Sequence, residues 1–237
     1  MRTNTTRRLA LAGLIAACFA SPLPTHAQTE SVPERLDALK ASLAASQAAL
    51  RQYEWIETTV VSLKGDEKSR EQNRCYYGAE GGVQRVPLAE PEPEKKGRGL
   101  RGKIVERKKE ELTDYMQEAI AMVKSYMPPS PAQVQAAKDA GRVSVDILEP
   151  GKRVRLNIRD YAKPGDTLSV EMDTATNRLL GFSVKTYLEK ADDAVSLEAS
   201  LGSLADGTTI TAVTTLVAAA KNLKVTVENS GYRKTGS

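Results

Sequence analysis

The sequence is poor in the side chains on which most hydrolytic and metal chemistry depends. Its 237 residues include one histidine, two cysteines and one tryptophan, and aromatic residues make up 5%. His26 and Cys18 lie in an N-terminal segment that we expect to be removed. The remaining chain then has no histidine for Ser-His-Asp or Cys-His catalysis, and Cys75 has no partner for an intramolecular disulfide. We therefore expect a non-enzymatic protein, without metal or cofactor, whose fold depends on its core.

The sequence also lacks an apolar run of the roughly 20 residues that a membrane-spanning helix requires. Its longest run, residues 9–20, follows three arginines and precedes small residues that end at Ala27. This arrangement is typical of a secretory signal peptide, which we assign to residues 1–27. We predict a periplasmic or secreted protein, cleaved near Ala27. The alternative is a lipoprotein anchored through Cys18, because residues 15–18 resemble a bacterial lipidation motif.

Positive charge is the property that changes most when the signal is removed. The full chain has a net charge of +4, but loss of three basic residues leaves 31 basic against 30 acidic residues. The surviving basicity is concentrated in residues 95–109, with eight basic side chains and one acidic. This patch predicts contact with an anionic membrane surface, and a solvated loop is the alternative. Export and the lack of interleaved aromatic residues argue against nucleic acid. The predicted membrane-facing cations are Lys95, Lys96, Arg98, Arg101 and Lys103.

Hydropathy periodicity predicts an α+β fold. Helical spacing and capping signals favour helices over residues 31–51, 103–127 and 130–141. Period-two alternation predicts strands over residues 53–64, 68–77 and 83–88, and seven more from residue 142 to the end. Proline, glycine and charge indicate a flexible basic connector at 89–102. We predict one domain over residues 28–237: a large curved antiparallel sheet of about ten strands, an incomplete β-barrel, packed on two or three helices.

Several of these segments resemble the periplasmic outer-membrane lipoprotein carriers, the LolA/LolB-like superfamily. The similarity involves the helix at 36–50, the strand start at 53–59, Lys64-Gly65, the segment 84–87 and the hairpin that begins at Asp173. It extends over residues 31–234. The resemblance implies a half-barrel that wraps over helices and holds acyl chains in an apolar interior.

Our leading hypothesis is an envelope protein that binds a lipid or another apolar ligand, such as a lipoprotein acyl chain, inside the curved sheet. The side chains predicted to line this site are Trp55, Met116, Ile120, Val123, Leu168, Val170, Met172 and Phe182. The alternative is an envelope scaffold with a filled core, in which Arg153, Arg155 and Arg159 contact a partner. A third hypothesis, a histidine-free hydrolase that uses carboxylates, has no motif to support it.

Overall fold

The computed structural model describes residues 32–89 and 100–235, with backbone alone for residues 32–40, 100–106 and 109. The predicted signal peptide, Cys18 and residues 90–99 of the predicted connector lie outside the described residues. The helices are α1 (Val32–Leu50), α2 (Leu100–Lys124) and α3 (Pro131–Asp139). The strands are β1 (Tyr53–Leu63), β2 (Asp66–Tyr77), β3 (Val83–Pro87), β4 (Val143–Glu149), β5 (Arg153–Arg159), β6 (Thr167–Asp173), β7 (Arg178–Tyr187), β8 (Ala194–Ser203), β9 (Thr209–Ala218) and β10 (Leu223–Lys234).

All ten described strands belong to one antiparallel sheet, in the order β3-β2-β1-β10-β9-β8-β7-β6-β5-β4. Strands that are consecutive in the chain are neighbours in the sheet, except β3 and β4. In addition, β10 pairs with β1. The two end strands, β3 and β4, do not pair with each other, so the sheet stays open. The predicted fold class, a large open antiparallel sheet packed on helices, is confirmed.

The sheet has one apolar face, which we call the inner face because it packs against the helices. Cross-strand pairing places Leu168 opposite Val184, Val184 opposite Leu197, and Leu197 opposite Leu216. The intervening positions are polar, as at Ser183, and form the outer face. The period-two alternation of the sequence therefore corresponds directly to one buried and one wet surface.

The core lies between the inner face and the last turns of α2 together with α3. Val123 of α2 is 2% exposed, Val134 of α3 is 1% exposed, and Leu168 and Val184 of the sheet are fully buried. These residues belong to a single hydrophobic cluster. Each such side chain contributes roughly 1.5–3 kcal/mol through its removal from water, so the cluster holds the helices on the sheet without a disulfide.

Helix α2 differs from its predicted boundaries at both ends. It begins at Leu100, so residues 100–102 of the predicted connector are helical. The prediction treated Gly102 as part of a loop, but a glycine in the first turns of a helix costs only about 1 kcal/mol. The helix ends at Lys124 rather than Met127, and turn-type hydrogen bonds from Ser125, Tyr126 and Met127 complete it.

A buried hydrogen-bond network joins the end of α2 to the loop between β5 and β6. The Tyr126 hydroxyl donates to Asp166 Oδ2 at 2.7 Å and lies 2.9 Å from the hydroxyl of Thr186. Asp166 is 1% exposed and also accepts the backbone N–H groups of residues 161–163 at 2.6–3.0 Å. Burial, then the bond to Asp166, raises the pKa of Tyr126, so its phenol remains a donor. Every described bond of the Asp166 carboxylate therefore serves the structure.

We expect Tyr126→Phe to lower the free energy of unfolding by about 1–3 kcal/mol, because it removes one donor from a buried carboxylate. Tyr76→Phe is the matched control, since the half-buried Tyr76 hydroxyl makes no hydrogen bond among the described residues. Urea unfolding followed by circular dichroism measures both variants. Equal stability of the two would show that the Tyr126 bond does not hold α2 to the sheet.

Candidate functional site: the cleft beside helix α1

An apolar cleft of about 550 Å³ lies between α1, the segment after α2 and the first residues of strand β9. Eight of its twelve lining residues are apolar or aromatic. Known small-molecule sites have volumes of roughly 300–1,000 Å³ and similar, mainly apolar walls. We call it the α1 cleft. Its lining residues are Leu43, Ala44, Ser46, Gln47, Leu50, Tyr77, Met127, Pro128, Leu201, Thr209, Ile210 and Thr211.

Helix α1 is fixed on the sheet by one polar and several apolar contacts. The Ser46 side chain is 9% exposed, and its hydroxyl accepts the Thr209 N–H at 3.1 Å. One turn earlier, Leu43 packs against the hydrophobic core. Because Leu43 and Leu50 are seven residues apart, they lie on the same side of the helix. This side forms one wall of the α1 cleft.

Three aromatic rings pack together beside the cleft, and we call them the aromatic cluster: Trp55, Tyr77 and Tyr232. The ring centroids of Trp55 and Tyr232 are 5.7 Å apart with an interplanar angle of 17°, and those of Trp55 and Tyr77 are 5.8 Å apart. These distances fall in the range of favourable aromatic pairs. Tyr77 belongs to both the cluster and the cleft lining, so the two features are continuous.

The Trp55 indole is held by a short hydrogen-bond relay that ends at the cleft. Its Nε1–H donates to Asn229 Oδ1 at 3.1 Å, and the Asn229 amide donates to the Thr211 carbonyl at 3.0 Å. Trp55 itself is only 7% exposed. The relay satisfies the one polar atom of the indole, so the ring packs as an apolar group next to the cleft.

A charged pair lies on the same side of β1 as Trp55. Arg85 donates two hydrogen bonds to Glu57, at 2.7 and 3.1 Å, in a bidentate arrangement that raises the pKa of Arg85. Cys75 pairs with Trp55 on one side and Arg85 on the other, and is fully buried. Burial, then the Glu57 carboxylate, raises the pKa of the Cys75 thiol. The thiol therefore stays protonated at neutral pH, which is the unreactive form of a cysteine.

The end of β1 nearest the cleft is tied to the turn between β8 and β9. The Tyr53 hydroxyl donates to Asp206 Oδ2 at 2.5 Å, and the Thr208 N–H donates to Asp206 Oδ1 at 3.1 Å. These bonds lower the pKa of Asp206 to about 2, with the Tyr53 bond as the largest cause. Lys234 lies 3.8 Å from the same carboxylate. Strands from both ends of the chain are thereby fixed around the cleft.

The structure brings six of the eight predicted lining residues together, but in the packed core rather than around the cleft. Val123, Leu168 and Val170 belong to the core cluster, and Met116, Ile120 and Met172 pack against it. Trp55 lies in the aromatic cluster. Phe182 is half-buried and pairs with Val170 and Ala199. Their contact with a ligand remains a prediction.

The residues that do line the cleft were assigned to other roles by sequence reasoning. The spacing of Leu43 and Leu50 marked an amphipathic helix, but it did not show that part of the apolar side remains uncovered. Met127 was predicted as the last residue of α2, and it lies instead in the segment that closes the cleft. Leu201 and the strand start at β9 carried no signal beyond strand alternation.

The outer face carries a second, polar depression of about 460 Å³ above Gly181. Glu171 forms ion pairs there with Arg153 and Arg155, at 3.2 Å in the case of Arg155. A side chain at Gly181 would meet the Ala199 carbonyl at 2.6 Å, so this position requires glycine. Two of the three arginines named in the scaffold hypothesis are thus already paired within the protein.

Within residues 32–89 and 100–235, no set of three or more His, Cys, Asp or Glu side chains is placed to bind a metal ion. In the same part of the chain, no helix has the length and apolar character that crossing a membrane requires. Residues 173–177 form a hairpin turn in which Asp173 accepts the N–H groups of Ala175 and Thr176.

Comparison with known proteins gives distant structural likeness alone. No family model matches the chain, and no curated protein matches it. Among solved structures, the crystal structure of a DUF1329 family protein from Desulfovibrio piger ATCC 29098 is similar over 84% of this chain and 94% of that chain. The two have 9% sequence identity and a TM-score of 0.36. Function is therefore argued below from the geometry of the site itself.

Proposed function

We propose that the protein is an exported, non-enzymatic envelope protein that binds a lipid or another apolar ligand in the α1 cleft. The observation that carries this proposal is an apolar cleft of ligand size at the side of a sheet whose core is already filled. The open sheet is also consistent with the resemblance to lipoprotein carriers. In that case the ligand is an acyl chain.

The chemistry of the cleft favours a chain-like apolar ligand. Leu43, Leu50 and Leu201 supply aliphatic walls, Met127 supplies a flexible one, and Tyr77 supplies a flat aromatic one. Each buried CH₂ of a ligand contributes roughly 0.8 kcal/mol, and a methionine side chain adapts to chains of different shape. The few polar groups at the rim, such as Gln47, suit a ligand head group.

An interaction scaffold without a ligand is the second candidate function. It is favoured by the six predicted lining residues, because they pack into or against the core. The α1 cleft decides between the two candidates. A ligand-binding protein uses this cleft, and a scaffold does not need it.

We expect Ala44→Trp to abolish binding of a fluorescent fatty acid, because Ala44 lines the cleft and an indole at this position occupies the space of the ligand. Ala45→Trp is the matched control: it places the same side chain on the same helix, at an exposed position that does not line the cleft. Fluorescence titration with the purified wild-type protein and both variants measures binding. Circular dichroism confirms that each variant folds.

Two outcomes would contradict the ligand proposal. One is the absence of fatty-acid binding by the wild-type protein, which favours the scaffold. The other is binding by Ala44→Trp with wild-type affinity. That result places the ligand elsewhere, and Ile120→Ala then tests the predicted core residues.

Export is the second part of the proposal. It is supported by the sequence of residues 1–27, and we expect the mature protein to begin at Gln28. Intact-mass spectrometry of protein recovered from a bacterial envelope measures the N-terminus directly. A diacylglyceryl adduct on Cys18 would instead establish the lipoprotein alternative, and an unprocessed chain would contradict both.

Contact with an anionic membrane surface is the third part. It is supported by the basic residues around the start of α2, where the first turn carries no acidic residue. It is also supported by Arg107 and Lys108, which are exposed further along the same helix. Positive charge at a helix N-terminus opposes the helix dipole. An external anion would offset this cost.

We expect the double variant Arg101→Glu, Lys103→Glu to weaken binding to phosphatidylglycerol vesicles by at least about 30-fold, since each basic residue near such a surface contributes about 1 kcal/mol and the two added carboxylates repel the surface. Vesicle flotation measures this binding, with phosphatidylcholine vesicles as the neutral comparison. Lys138→Glu with Lys190→Glu is the charge-matched control at exposed positions elsewhere. Equal loss in both double variants would show an effect of net charge and not of the predicted patch.

A further inference from the structure

The exposed large apolar side chains of the described residues are confined to the two ends of the sheet. Val86 and Leu88 lie on or directly after β3. Val145, Ile147 and Leu148 lie on β4, with exposed fractions of 58%, 70% and 39%. A strand at the end of a sheet also presents unpaired backbone groups, which is a template for pairing with another strand. The two features coincide here on β4.

The two end strands differ in how they are protected. Strand β3 ends on Pro87, which has no N–H to donate, and it carries the charged Arg85. Strand β4 has the sequence VSVDILE, without proline, glycine, lysine or arginine. Its one irregularity is a register shift between Ile147 and Glu149, which leaves the stretch before Leu148 regular. Natural edge strands are usually protected against pairing by proline, lysine or a bulge within the strand. Residues 143–147 have none of these.

The hydrogen bonds to β5 determine which backbone groups of β4 point away from the sheet. The Arg159 N–H donates to the Arg142 carbonyl at 3.0 Å. In an antiparallel pair the bonded positions alternate, so Ser144 and Asp146 also point toward β5. Val143, Val145 and Ile147 then direct their N–H and C=O groups to the outer edge. The side chains of the same three residues are on the inner face, opposite Ile158, Leu156 and Val154.

We propose that β4 pairs antiparallel with β4 of a second copy of this chain, with Val145 on the two-fold axis. This register places Val145 opposite Val145 and Val143 opposite Ile147, so apolar side chains meet on one face. On the other face Ser144 lies opposite Asp146, as a hydroxyl donor opposite a carboxylate. The contact is self-complementary, as a two-fold dimer requires. It continues the sheet of each copy into the other.

The charges on β4 disfavour one of the neighbouring registers that keep the same side chains on each face. A shift of the axis to Asp146 places the two Asp146 carboxylates opposite each other, which is destabilising. With the axis at Val145, each acidic side chain faces a neutral residue. Because β4 matches itself on both faces in this register, we assign the edge to a second copy.

Sedimentation velocity over a concentration series tests the proposal on the purified protein. We expect a concentration-dependent dimer for the wild type and its loss in Val145→Lys, because a lysine on the axis meets a second lysine. Gln117→Lys, which adds the same charge on an exposed position of α2, is the matched control and should dimerise normally. A wild-type protein that stays monomeric throughout would overturn the proposal, as would a Val145→Lys variant that still dimerises.

Hydrogen exchange of individual amides by NMR keeps the test decisive if Val145→Lys does not fold. In the wild type, the Val143 and Val145 amides should slow on dimerisation, whereas Ser144 and Asp146 should be protected in both states. A dimer that leaves Val143 and Val145 unchanged uses another surface and contradicts the proposal. Slow Val143 and Val145 amides in a monomer also contradict it, because they would show that another strand covers β4.

Discussion

One buried carboxylate, that of Asp166, determines where the helices lie on this sheet. Apolar contact holds α2 and α3 on the inner face, but apolar burial has no preferred direction. Asp166 adds direction, because it accepts three backbone N–H groups of its own loop and the hydroxyl of Tyr126. Met127 and Pro128 follow Tyr126 immediately and line the α1 cleft. The shape of the candidate site therefore depends on a hydrogen bond in the core.

The sheet could be predicted from the sequence because its signal is local and repeated. Alternation over segments such as 153–159 gives both the strand and the side of each residue, and short turns give the antiparallel order. The helices α1 and α3 are similarly marked by spacing and by Pro131. Alternation does not predict the distance between a helix and the sheet. For this reason the periodicity assigned Met116 and Ile120 an inward side but did not show how closely they pack against the core.

The cleft was missed for a related physical reason. Its walls come from the start of the described chain, from the segment after α2 and from β9, which are more than 70 residues apart in sequence in each case. Their proximity follows from the pairing of β10 with β1, which brings the first and the last strand of the chain together. No local pattern at Leu43 or Leu201 contains that pairing. Of the residues predicted to line the ligand site, Trp55 lies beside the cleft, where it packs on Tyr77.

An open sheet and an accessible cleft have the same physical origin. Closing a ten-stranded sheet onto itself would remove its edges, but helices α1 to α3 occupy the inner face and the end strands β3 and β4 remain apart. The two edge strands that result are exposed to pairing with other strands, and they differ in their protection against it. Pro87 blunts β3, whereas β4 keeps regular backbone and bare valine and isoleucine side chains.

The charged groups beside the aromatic cluster on the inner face are engaged with each other. Glu57 is the buried acid nearest the aromatic cluster, and Arg85 engages both of its oxygens. Such a bidentate pair fixes the orientation of the carboxylate and engages both of its oxygens. The Cys75 thiol beside it is held protonated, because burial raises its pKa. Glu57 and Arg85 thus offset each other's charge. The walls that Tyr77, Leu43 and Leu50 give to the α1 cleft are apolar.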